Sequence, residues 1–173
     1  KMPILKYIDH KVTSFIRTYI IGKFNKEFQQ IFPQEKNGKF YQDENSDDHK
    51  IRTPNQNAFT GNVYLLTSPR IASAGSLFAA MLAGNENTTT IGEETMGGYY
   101  GHNGHTSLEY KLPKSKIIIQ FSVVNLEQDV PKKENQKYNR GIIPDYNITQ
   151  TFSDFLNNTD TQINFTLKLI KKK

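Results

Sequence analysis

The segment Phe59–Gly98, FTGNVYLLTSPRIASAGSLFAAMLAGNENTTTIGEETMGG, constrains the fold of this chain more than any other. Val63-Tyr64-Leu65-Leu66 is a short apolar run of strand character, and Ser68-Pro69 marks a turn. Ala72-Ser73-Ala74-Gly75 follows. A helical pattern then begins, with Leu77, Phe78, Met81 and Leu82 on one face. A strand, a turn and a helix in this order place Ser73 between small residues where a helix starts. A serine there can present its hydroxyl outward while the free N–H groups of the helix point at whatever lies beside it.

The 173 residues can bury one good core, so one domain over 1–173 is expected. The net charge of +5 is mild, and much of it sits in Lys168, Lys171, Lys172 and Lys173. No basic patch is interleaved with aromatic residues, which argues against a nucleic-acid partner. The absence of cysteine excludes disulfides, thiolate metal sites and cysteine nucleophiles. No apolar run approaches the roughly 18 residues of a membrane span, and no signal peptide is visible. The chain opens abruptly on Lys1-Met2-Pro3, at the approach to a helix, and is expected to be a piece of a longer protein.

Residues 4–32 show helical spacing through Ile4, Ile8, Val12, Phe15, Ile16, Tyr19, Ile20, Phe24, Phe28 and Phe32, with Gly22 as a candidate break. A core-packing helix is the simpler reading; a membrane-surface or partner-binding helix is the alternative. Residues 33–58 are polar and read as a mobile loop. Asp43, Glu44, Asp47 and Asp48 crowd part of it without the spacing of a calcium loop. Strands are expected at Thr88–Ile91, Thr106–Leu112 and Lys116–Leu126, the last two joined by a turn at Leu112-Pro113-Lys114-Ser115. Glu127–Asn139 reads as loop, and Ile148 lies in a short extended segment. Thr151 or Ser153 can cap a short helix to Asn157, and Asp160 a last helix with Ile163, Leu167 and Ile170 on one face.

A serine hydroxyl attacks a carbonyl only when a base takes its proton and donors receive the oxyanion. At a helix start, the Ala74 N–H is one such donor for Ser73, and Ala72, Ala74 and Gly75 let a substrate backbone approach. The competing reading makes Ser73 an ordinary helix cap. His102 and His105, in the glycine-rich loop GGYYGHNGH, are candidate bases, or simply solvated loop histidines. His10 and His49 look ordinary. Glu93 and Glu94 either orient a histidine or form a solvated strand end. No metal or cofactor is implied.

Six pieces of this chain, in order, resemble the C-terminal half of a family S41 serine peptidase, the group of the C-terminal processing (tail-specific) and tricorn core peptidases. They are Phe59-Thr60-Gly61, Val63–Thr67, Ala72-Ser73-Ala74-Gly75, Ile91–Thr95 with Gly97-Gly98, Leu112-Pro113-Lys114-Ser115, and Gly141-Ile142-Ile143-Pro144-Asp145. The resemblance covers about residues 57–170. It implies an α/β fold, part of a ClpP/crotonase-like spiral of strands and helices, and a serine-type endopeptidase or carboxy-terminal processing peptidase acting through an acyl-enzyme on Ser73. The processing peptidases carry a lysine base where this chain has Gly97-Gly98, so a Ser–Lys dyad is not expected. The tricorn-like branch takes a histidine from the first half of its domain and has a glutamate where this chain has Lys137-Tyr138-Asn139-Arg140. The base is therefore expected from a preceding portion of the protein, and these 173 residues alone are expected to cleave peptides poorly or not at all. Gly97, Gly98, Tyr99 and Tyr100 are expected to line the substrate site, with a peptide or protein as substrate. The resemblance also implies a periplasmic, cell-envelope or secreted parent. Two alternatives remain: a peptide-binding module that has lost its base, and a crotonase-like oxyanion-hole enzyme.

Overall fold

A computed structural model describes residues 14–104 and 107–172. Its contacts cluster in two compact units, where length suggested one domain. One unit holds the described residues up to Ala58 with Glu109–Gln120; the other holds Phe59–Leu108 and the residues from Phe121 onward. The break falls where residues 47–60 are all exposed, because a stretch with no buried side chain cannot extend a core.

In the first unit, α1 (Ser14–Ile31) runs through Gly22 without a break. Ile4, Ile8, Val12 and His10, at the start of the expected helix, lie outside the described residues. Phe28 near its end is buried, with its ring 4.6 Å from Phe32 and 6.0 Å, edge-on, from Phe40. That cluster joins the helix to a hairpin of β1 (Gln34–Lys36) and β2 (Lys39–Tyr41). The hairpin lies within the stretch expected to be a mobile loop. Its turn is Asn37-Gly38, both at positive φ (53° and 73°), as a two-residue hairpin turn requires.

The second unit is built on three parallel strands in the order β3-β4-β9: β3 (Val63–Thr67), β4 (Thr88–Gly92) and β9 (Tyr146–Asn147). The expected strand at Val63–Thr67 is present with those bounds. Between β3 and β4 runs α2 (Ala74–Ala83), which packs on both strands. Its buried face is Ser76, Ala79, Ala80 and Ala83, whereas Phe78 and Met81 are 61% and 65% exposed. The larger residues that marked the helical pattern therefore do not all face inward. Small residues at i, i+3, i+4 and i+7 seat the helix against the sheet. Ala79, Ala80 and Ala83 form the core with Tyr99 and Ile142, flanked by Leu65, Ile71, Tyr100 and Val130.

Two short two-stranded sheets pair β5 (Gly101–His102) with β8 (Leu126–Glu127), antiparallel, and β6 (Ser107–Lys111) with β7 (Ile118–Ser122). Residues 113–115 make the turn of the second. Two helices close the chain, α3 (Phe152–Leu156) and α4 (Thr161–Lys171), and α4 packs on β3 and β4. Tyr146 meets Phe165 at 5.3 Å.

Candidate active site

Ser73 is the residue immediately before α2, and its backbone sits at φ 51°, ψ −128°. Serine disfavours this region at a cost of about 1–3 kcal/mol. Of the other described non-glycine residues at positive φ, three are asparagines, which tolerate it, and the fourth is Lys116 in a hairpin turn. The Ser73 hydroxyl makes no capping hydrogen bond to the helix and the residue is exposed. An ordinary cap has extended backbone and bonds the N–H two or three residues on. Ser73 does neither.

The four N–H groups at a helix start have no partner in the helix itself. In α2 three of them are taken. Gly75 N–H donates to Ala72 O at 3.0 Å, and those of Ser76 and Leu77 donate to Ser73 O at 3.0 and 3.1 Å. Among the described residues the Ala74 N–H has no acceptor. An exposed hydroxyl and a free N–H thus sit on adjacent residues, flanked by exposed Ala72 and Gly75.

A run of close contacts supports this turn from beneath. Gly97 N–H donates to Ile71 O at 3.0 Å, and a Cβ on Gly97 would overlap the Ser76 side chain. Thr95 Oγ1 donates to Gly97 O (2.7 Å) and accepts from Ile142 N (2.8 Å). Glu94 takes Arg140 in a two-pronged ion pair, its Oε1 at 2.8 Å from Nε, and also accepts from Gly141 N at 2.9 Å. The Arg140 hydrogen bond is the main influence holding the Glu94 carboxyl below its ordinary range; the Gly141 N–H adds to it and partial burial opposes it. The same bond raises Arg140 further. Gln136 braces the far side, donating to Gly141 O (2.6 Å) and accepting from Ile143 N (3.0 Å). Asp145 accepts from the N–H and hydroxyl of Thr90, at 2.7 and 2.8 Å, and fastens Gly141–Asp145 to β4.

The segment expected to line a substrate site is largely packed inside. Gly97 is buried. Gly98 bridges Gly141, and Tyr99 N–H donates to Arg140 O at 3.3 Å. The Tyr99 ring is completely buried, its hydroxyl bonded to Pro131 O at 2.9 Å. Burial, with Tyr100 beside it, raises its pKa. Tyr99 therefore has no surface with which to meet a peptide; aromatic bulk with one polar tip suits it to this core position. Tyr100 is half-buried and stacks on Tyr138 at 4.5 Å, so only part of it is available. His102 accepts from Gly104 N through Nδ1 at 3.1 Å, and its Nε2 is shielded without a partner among the described residues. Neither nitrogen bonds Ser73. His105 lies outside the described residues. Glu94 is an ion-pair partner of Arg140, and among the described residues it bonds no histidine.

Sequence reasoning missed Ser76, whose hydroxyl donates to Ser73 O at 2.7 Å, and the Glu94–Arg140 pair, whose members lie 46 residues apart. The small-residue context of Ser76 was visible; its burial was not. Among the described residues no group of three or more His, Asp or Glu residues could hold a metal. No described helix is long and apolar enough to cross a membrane.

Comparison with curated proteins finds no match for this chain. Comparison with known families matches "Peptidase family S41" over residues 18–148, most of the chain and both sides of the Ser73 turn. This chain belongs to peptidase family S41.

Proposed function

We propose that Ser73 is the nucleophile of a serine endopeptidase or carboxy-terminal processing peptidase, on a fold that forms part of a ClpP/crotonase-like spiral. One observation carries the reading: among the described residues neither the Ser73 hydroxyl nor the Ala74 N–H has a hydrogen-bond partner, in a backbone conformation that ordinary capping would not produce. A base takes the Ser73 proton as Oγ adds to the scissile carbonyl carbon, and the Ala74 N–H receives the oxyanion. The C–N bond then breaks and the amine leaves with that proton. Water, activated by the same base, hydrolyses the ester and frees Ser73. We place the base outside the described residues, a reading supported by the lack of any described side chain bonded to the Ser73 hydroxyl. Family membership supports a peptide or protein substrate, and we extend the proposal to work in the periplasm, cell envelope or outside the cell.

The test is covalent labelling of the full-length protein with a fluorophosphonate, located by peptide mass spectrometry, beside peptide hydrolysis by the parent and Ser73→Ala. Label on Ser73 and loss of cleavage in the variant are expected. Equal cleavage by both proteins would end this reading. No labelling, with peptide still bound, would favour a module that holds peptides without cutting them.

A further inference from the structure

We infer that Ser76 is a positioning residue for catalysis, aiming the oxyanion donor without touching the substrate. This rests on the assignment of Ser73 and Ala74 above. The carbonyl of Ser73 and the N–H of Ala74 belong to one peptide group, which is planar, so their directions are locked opposite each other. Whatever fixes the carbonyl therefore fixes the N–H. Three donors converge on that carbonyl: the N–H groups of Ser76 and Leu77, and the Ser76 hydroxyl, the nearest at 2.7 Å. The two N–H groups are part of any helix start, whereas the hydroxyl is specific to this residue.

Ser76 is fully buried, and it lies where a Cβ on Gly97 would be. Gly97 is in turn held to Ile71 O and to the Thr95 hydroxyl. The rotamer of Ser76 is thus confined by the Gly97 backbone, and its hydroxyl has a fixed target. At φ 51° the ψ of −128° is the strained angle for a serine, and turning the peptide group that follows it would carry the residue toward the left-handed region; the Ser76 hydrogen bond opposes that rotation. Losing it leaves the Ala74 N–H present but misdirected, a smaller loss than deleting an oxyanion donor outright.

The experiment uses the full-length protein with Ser76→Ala and Ser76→Cys. The latter keeps the volume but offers a weaker donor. Four quantities are read: kcat, KM, affinity for a peptide boronate that forms a tetrahedral adduct, and affinity for the unreactive product peptide. For Ser76→Ala, kcat and boronate affinity fall together by about tenfold, while KM and product affinity stay within about twofold. Ser76→Cys falls between variant and parent, and carries the test if Ser76→Ala does not fold. A merely structural serine would lower thermal stability and weaken boronate and product alike, which would overturn the inference. Parent-like kcat and boronate affinity in both variants would overturn it too. If Ser73→Ala also cleaves at the parent's rate, the Ser73 assignment fails first; if Ser73→Ala is inactive, only the role of Ser76 is lost.

Discussion

The starts of α2 and α4 solve the same problem in opposite ways. Asp160, before α4, has ordinary extended backbone (φ −92°, ψ 111°), and its carboxylate accepts from Ile163 N at 2.8 Å. Thr151 does the same for α3 through Asp154 N at 3.1 Å. At α2 a residue fully capable of capping sits in a strained conformation, and its hydroxyl makes no capping hydrogen bond to the helix. The Ala72 carbonyl accepts from the Gly75 N–H instead, and the Ser73 hydroxyl takes no part in the capping. The difference separates helix starts closed by a side-chain cap from one whose candidate cap leaves its hydroxyl unused by the helix, as the proposed nucleophile requires.

The largest expected effect is on rate. Ser73→Ala should lower peptide hydrolysis by the full-length protein by roughly four to six orders of magnitude, while its thermal midpoint holds or rises. Stability lost in step with activity would make Ser73 a cap like Asp160 and dissolve the contrast. Next, Gly97→Ala forces a methyl onto the Ser76 side chain and should destabilise the fold by about 1–3 kcal/mol in urea unfolding. A neutral result would mean that the α2 turn is not braced from beneath.

Capping itself supplies a matched pair. Asp160→Ala removes a working cap and should cost about 1 kcal/mol. Ser73→Gly relieves a positive φ and should stabilise the protein by a fraction of a kcal/mol up to about 1 kcal/mol. Chemical unfolding of both variants sharpens the comparison if the signs differ and breaks it if they agree. The smallest effect concerns acid. The native Glu94 carboxyl is held below its ordinary value of 4.5, so the unfolded chain binds that proton more readily. The stabilisation is present above 4.5 and fades as pH falls through the lowered native value. Glu94→Gln should narrow the gap between urea midpoints measured at about pH 7 and about pH 3.5. An unchanged gap would show that the ion pair contributes nothing measurable.

Much of the local structure was legible. Val63–Thr67 declared itself by β-branched and apolar residues, and Thr151 and Asp160 by cap chemistry just before helical patterns. Ser73 stood out because small residues around a serine at a strand–helix junction are distinctive. Asn37-Gly38 was equally readable, but its polar surroundings hid it. What could not be read depends on distant pairing. Nothing local distinguishes Glu94 from Glu93 until Arg140 arrives beside it. Nothing local tells Tyr99 from Tyr100 until a core closes over one of them. The inward face of α2 misled for a related reason. Hydropathy ranks Phe78 and Met81 above Ala79 and Ala80, whereas the space between helix and sheet selects for size.

The bonds joining Glu94 and Thr95 to Arg140, Gly141 and Ile142 span 46 or 47 residues, and β4 pairs directly with β9 beyond them. Covalent continuity between these partners runs through the turn at residues 113–115, which takes no part in any of those contacts. A single backbone cut in that turn would sever the chain while leaving every one of them in place. The two pieces of the second unit would stay associated, and the turn that carries Ser73 would keep its support from a segment no longer attached to it.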